Sequence, residues 1–313
     1  MLRQYTFFGI FVIFFIFQVS VIKSQTESFT ELVPGTRSIA MGQTASSSFS
    51  DATSGYLNPA NIINARKSTI SLFYSSPGER FEYKGCGLAI PLKTLGSLGF
   101  GYYKLSSKVF SLTSDNAISE KAFEHQHYIL GYAKTVFNSI AVGMNTKYII
   151  TDILQGEGTH EYSAIDLGIQ YQPEIANSIL SNITFGFSMD NLVQLMKPAE
   201  NNNDLLRYYR FIIEKRVAFG ANAIQIITNL ALNEEYSYKN KTSIDLTKET
   251  SRPKIFWGIE YERENFCLRL GQAANSITGG VGIKLKSFNL GYAHGRLIPE
   301  GSLANSISIS FEY

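Results

Sequence analysis

Apolar and polar residues alternate with a period of two along most of this chain. At its end Ile307, Ile309, Phe311 and Tyr313 fall on one face, with Ser306, Ser308, Ser310 and Glu312 on the other. Ile255, Trp257, Ile259 and Tyr261 oppose Gly258 and Glu260, and Phe266, Leu268 and Leu270 oppose Arg269 and Gly271. Similar rows run through Val281, Ile283 and Leu285 and through Ile183, Phe185, Phe187 and Met189. Successive side chains of a strand point to opposite sides, so each row predicts a strand with one apolar face and one polar or small face. The rows predict fourteen strands, at 68–74, 85–91, 95–103, 127–136, 139–150, 162–171, 182–190, 215–224, 226–236, 255–262, 266–272, 279–285, 288–294 and 306–313.

The links between these strands run long, short, long, short. Tight ones are expected near Pro91–Thr94, Phe137–Asn138, Gln225, Arg263–Asn265 and Lys286–Ser287, and long ones at 104–126, 191–214, 237–254 and 295–305; only 172–181 breaks the rhythm. Short turns on one side, long loops on the other and an even strand count predict an outer-membrane barrel with both chain ends on the periplasmic side. The long stretches hold many charges (Asp115, Glu120, Lys121, Glu124; Lys197, Glu200, Asp204, Arg207; Lys239, Lys241, Asp245, Lys248, Glu249), which are expected to face the exterior.

Direction is the open question, because a soluble sandwich, propeller or lipocalin-like barrel also alternates, with its apolar face inward. Two features favour apolar-out: many positions on the opposite face are Gly, Ser, Asn or charged, and the last strand ends on an aromatic residue. The fold expected is therefore all-β, a transmembrane antiparallel barrel of about fourteen strands.

Export fits that reading. Arg3, the apolar run Phe7–Phe17 and the polar stretch through Lys23 and Ser24 have the layout of a signal peptide, expected to be cleaved near Ser24, with an uncleaved anchor over Tyr5–Ile22 as the alternative. Losing Arg3 and Lys23 from the 28 Lys and Arg leaves 26 bases facing 26 acids, which gives no electrostatic case for nucleic acid. With 22 Phe and 18 Tyr but one Trp, the composition favours strands. The two cysteines, Cys86 and Cys267, have opposite parity relative to their neighbours' apolar rows, which predicts two free thiols facing opposite ways.

Residues 25–67 do not alternate, and the division expected is 1–24 signal peptide, 25–67 a small N-terminal hatch in the lumen, and 68–313 barrel. Within 25–67 stand Gly35, Arg37, Met41 and Gly42, then Asp51, then Asn58, Pro59 and Ala60. This pattern resembles the PorV/PorQ group of outer-membrane proteins, itself similar to FadL-type hydrocarbon transporters. Gly258-Ile-Glu-Tyr261, Leu268-Arg269-Leu270-Gly271, Gly279-Gly-Val-Gly282, Asn289-Leu-Gly-Tyr-Ala293 and, in part, Asp190-Asn191-Leu192 extend the resemblance. It departs at Leu57, where many members have a bulky Trp or Tyr; here Tyr56 stands one position earlier.

The resemblance implies a fourteen-stranded barrel with a lumenal hatch and a non-enzymatic role in type IX secretion and surface attachment of cargo. Its partners would be outer-membrane lipid and proteins of the secretion complex. The alternative is a FadL-like passive transporter that takes a hydrophobic ligand into its lumen.

Candidate chemistry is sparse. His125 and His127 share a face at a strand edge, but no third ligand stands near them in the sequence, so polar decoration is the expectation and no metal or cofactor is predicted. Gly279-Gly280-Val281-Gly282 lacks the Lys-Ser/Thr and strand-to-helix setting of a phosphate loop, and no hydrolase motif appears, so no enzyme is predicted. Arg37 would need a carboxylate partner inside a lumen, with Asp51, Glu260 and Asp166 as candidates, either to pin the hatch or to gate it.

Overall fold

The computed structural model describes residues 33–47, 51–78, 81–113, 116–153, 158–174, 181–196, 205–238, 246–250, 253–273, 276–297 and 302–313. The segment expected to be a signal peptide lies outside them. Among the described residues the strands are β1 (Thr69–Pro77), β2 (Phe81–Pro91), β3 (Ser97–Thr113), β4 (Asn116–Phe137), β5 (Ile140–Ile153), β6 (Gly158–Tyr171), β7 (Ile183–Met196), β8 (Tyr208–Phe219), β9 (Asn222–Tyr238), β10 (Leu246–Thr250), β11 (Lys254–Arg263), β12 (Phe266–Ala273), β13 (Ser276–Leu285), β14 (Phe288–Leu297) and β15 (Ser302–Glu312). Each pairs antiparallel with its neighbours, β1 with β15 closes the ring, and β9 joins β8 to β11. The result is a closed barrel of fourteen strands, with the short β10 added to one end of β9.

The alternation resolves with its apolar face outward. Leu72, Leu270 and Ile307 are 53%, 49% and 57% exposed, whereas Ser71 and Ser306, on the other face, are 1% and 0% exposed. Leaving a large apolar side chain in water forgoes about 2 kcal/mol. Repeated over every outward row, that exceeds the ~5–15 kcal/mol net stability of a folded domain. Lipid is the medium this surface requires, and closure gives every ladder a partner without an exposed sheet edge. No helix among the described residues is long and apolar enough to cross a membrane, which does not bear on strands.

Several expectations are corrected. The strand expected at 215–224 crosses a real turn: β8 ends at Phe219, Gly220 adopts φ +62°, and β9 begins at Asn222, so the tight link is at Gly220–Ala221 rather than Gln225. The rest of β8 lay inside the stretch 191–214 read as a loop, because Arg210 and Glu214 are lumen-facing charges and not loop markers. The described residues of the stretches 104–126, 237–254 and 295–305 are mostly extensions of β3–β4, β9–β10 and β14–β15.

The charged positions also shift. Glu124 belongs to β4 on the outward parity of Gln126 and Tyr128, and it pairs with Lys104 at 2.6 Å. Asp115, Lys197, Glu200, Asp204, Lys239, Lys241 and Asp245 lie outside the described residues, as do the side chains of Glu120, Lys121, Lys248 and Glu249. The thiols fall as expected: Cys86 is exposed, Cys267 is buried, and both are free.

Candidate lumenal site

The described N-terminal residues pack on inward positions of the ring. Gly35, at φ +92°, opens a five-residue helix, α1 (Thr36–Ala40), which lies against β13 and β14. Gly42, at φ +71°, closes the turn after it; its N–H donates to Thr278 Oγ1 at 3.0 Å, and that hydroxyl donates to Ala40 O at 3.0 Å. On the far side of the ring, Pro59–Asn64 forms a 3₁₀ helix against β4, β5 and β6. Asn58 caps it by accepting from Ala60 N–H at 3.0 Å, and Pro59 fits the first helical position because its missing N–H would have no partner there.

Wall glycines make this seating possible. A Cβ at Gly258 or Gly271 would collide with Met41 and the backbone of Gly42, and one at Gly291 with Thr36. On the opposite wall, a Cβ at Gly143 or Gly168 would collide with Asn58, Pro59 and Ala60. The glycine-rich runs of β11–β14 thus find their physical reason in close approach by the inner segment, not in phosphate binding.

Among its three candidate partners, Arg37 takes Glu260, donating from Nε at 3.0 Å and from Nη2 at 2.9 Å. Nη2 also donates to Gln225 Oε1 at 2.8 Å, and Arg269 reaches the same carboxylate at 2.6 Å. Burial pulls the Arg37 pKa down, but the Glu260 carboxylate more than offsets it, so the guanidinium stays charged. The network continues through Gln225 to Glu214, which accepts from Ser47 N–H at 2.6 Å and Ser46 Oγ at 3.3 Å. Asp51 instead accepts from Thr53 N–H at 2.9 Å, and Asp166 pairs with Lys147 at 2.8 Å. Asp190 pairs with Arg210. Glu214, Gln225, Lys147 and Arg210 escaped the sequence reading, although each sits opposite an apolar row, the signal that could have found them.

Above α1 the lumen changes character. Phe73, Tyr83, Tyr103 and Leu105 form a buried apolar patch on β1–β3, with Phe81, Phe123 and Tyr56 packed on it. Tyr56 meets Tyr103 edge-on at 5.5 Å, and burial raises its pKa, so it stays a neutral phenol. His125 and His127 are not at a strand edge: they lie within β4, buried and inward, with Nε2 atoms 2.6 Å apart, and Thr151 Oγ1 is 2.7 Å from His125 Nδ1. Among the described residues no group of three or more His, Cys, Asp or Glu side chains could hold a metal ion. At the short-turn end a cavity of about 560 Å³ opens between the inner segment and the wall, lined by Ile63, Asn64, Ile140, Gln170, Gln172 and Asn182 among others.

The geometry defines a class, the closed outer-membrane barrel of fourteen antiparallel strands, and solved structures share that fold. The chain is similar to the CymD monoaromatic hydrocarbon channel (TM-score 0.55, 13% identity, 91% of this chain and 99% of that one). It is also similar to the Pseudomonas putida toluene transporter TodX (TM-score 0.53, 12% identity, 89% and 98%) and to a Pseudomonas aeruginosa FadL homologue (TM-score 0.53, 11% identity, 90% and 99%). At such identities the likeness is one of fold. No protein-family model matches the sequence, and no curated protein does.

Proposed function

We propose that this chain is a passive outer-membrane channel for hydrophobic solutes, with residues 25–67 acting as a hatch inside the barrel. The observation that carries the reading is the aromatic patch of Phe73, Tyr83 and Tyr103 on the inner wall, with a second apolar cluster at Ile212 and Ile227 across the lumen. A pore for hydrated solutes gains nothing from buried rings there, whereas an apolar solute trades water for them at roughly 25 cal/mol per Å². The fold shared with the CymD monoaromatic hydrocarbon channel and the toluene transporter TodX supports the same choice. Expression of the full chain in a Gram-negative host lacking such channels should raise the rate of toluene entry several-fold. An unchanged rate with correctly inserted barrel would refute the reading.

A second reading rests on the resemblance of Gly35, Arg37, Met41, Gly42, Asp51, Asn58, Pro59 and Ala60 to PorV/PorQ proteins: a barrel of the type IX secretion apparatus with protein partners at the cell surface. Deleting the gene in its native cell separates the two. Loss of cargo attachment with normal solute uptake favours secretion, and the reverse favours the channel.

A further inference from the structure

Five buried side chains on three adjacent strands hold oxygen atoms that lack a hydrogen-bond partner among the described residues: Asn145 Oδ1 on β5, Asp166 Oδ2 on β6, and Ser188 Oγ, Asp190 Oδ1 and Asn191 Oδ1 on β7. All five residues are at least nine-tenths buried. They form one patch. Asn145 lies directly across from Asp166, and Asp166 Oδ1 accepts from Asn191 N–H at 2.8 Å. Ser188 and Asp190 sit two residues apart on the inward face of β7.

Four of the five atoms are carboxylate or amide oxygens, which accept and never donate. A matching ligand must bring a donor, and an aromatic carboxylate would bring a like charge instead. A cation is also a poor match, because Lys147 and Arg210 already balance Asp166 and Asp190. That leaves a neutral hydroxyl.

Tyr56 marks where such a molecule would lie. Its ring contacts Tyr103 of the aromatic patch and stacks on His127 at 6.0 Å, its hydroxyl lies 3.5 Å from His127 Nδ1, and the carbonyl of the adjoining Gly55 accepts from Asn145 Nδ2 of the polar wall at 2.9 Å. The inner segment itself thus places a phenol between the two walls.

Building on the channel reading, we propose that the lumen selects neutral aromatic solutes bearing a hydroxyl, such as phenols and aryl alcohols, over plain hydrocarbons and aromatic carboxylates. The ring rests on the Phe73–Tyr83–Tyr103 patch, the hydroxyl donates to one of the unpartnered oxygens of β5–β7, and the solute takes the place of Tyr56 when the inner segment moves.

The test compares entry of p-cresol, toluene and p-toluate through the full chain in the outer membrane of an expressing host, each corrected for host without it. One buried hydrogen bond predicts a preference for p-cresol over toluene of roughly tenfold, with p-toluate slowest. Ser188→Ala and, separately, Asn145→Ala, each of which removes an oxygen outright, should bring the p-cresol and toluene rates together, with heat-modifiable migration in SDS showing that each variant folds. Equal p-cresol and toluene rates in the native chain would overturn the inference and leave the channel reading standing, the oxygens then being merely hydrated. A preference that survives both substitutions would also overturn it. No entry of either solute would remove the channel reading and the inference together.

Discussion

On β1–β3 the inward positions carry Phe73, Tyr83, Tyr103 and Leu105, whereas on β5–β12 they carry Lys147, Asp166, Arg210, Glu214, Gln225 and Glu260 among the apolar Ile149, Ile212 and Ile227. The inner segment meets the two walls differently. Against the charged wall it is tied by directional bonds: Arg37 to Glu260 and Gln225, and Ser46 and Ser47 to Glu214. Against the aromatic wall, Tyr56 and Ile39 make ring and van der Waals contacts, with one neutral hydrogen bond from Ala52 N–H to Ser71 Oγ at 2.8 Å, and apolar contacts of Met41 and Leu57 with Ile212 and Ile227 accompany the charged ties. Bonds of the first kind are lost all at once and leave buried charge behind. Contacts of the second kind can be exchanged for those of an apolar solute at little net cost. The charged wall is suited to holding the segment, and the aromatic wall to releasing it.

Removing the seat should break this comparison most severely. Gly271→Leu puts a side chain where Met41 and Gly42 now rest, so the segment should lose its place and be cleaved readily by trypsin after Arg66 or Lys67 while the barrel stays heat-modifiable. Arg37→Ala comes next. It leaves Glu260 with Arg269 alone and should cost about 3 kcal/mol of segment docking, read as faster proteolysis. Arg37→Lys should restore only part of that protection, because an ammonium cannot make the paired Nε and Nη2 contacts.

Tyr103→Ala should lower toluene entry about fivefold while N-terminal protection stays near native, sharpening the division between the walls. The smallest effect is expected at Leu290, an outward residue: Leu290→Val should change both readouts by less than about 0.5 kcal/mol. Equal sensitivity of protection and entry to Arg37→Ala and Tyr103→Ala would dissolve the distinction.

Much of the barrel was legible because lipid and lumen impose a strict period of two. The rows through Ile307–Tyr313 and Phe266–Leu270 fall on the exposed face as expected, and the opposite parities of Cys86 and Cys267 hold. The misplacements have two causes. In a barrel with a polar interior, charge does not mean loop, so Arg210 and Glu214 hid the first half of β8. The turn at Gly220–Ala221 was missed because Val217, Phe219, Ala221 and Ala223 keep one apolar parity running through it.

The site was less legible. Arg37 and its partner Glu260 were among the residues singled out, but nothing in the chain ranks Glu260 above Asp51 or Asp166 until the register sets Glu260 across from both Gln225 and Arg269. The aromatic patch was invisible for a related reason. Phe73, Tyr83 and Tyr103 occupy inward positions that the alternation reserves for small and polar residues, so only the fold shows that they meet.

The account stands on the outward face lying in hydrocarbon, and Cys86 offers a native probe of it, because Cys267 is buried away from reagents. A nitroxide attached at Cys86 of the full chain in lipid vesicles should collide frequently with dissolved oxygen and rarely with a water-soluble nickel chelate. Collisions dominated by the chelate would place that face in water and contradict the account.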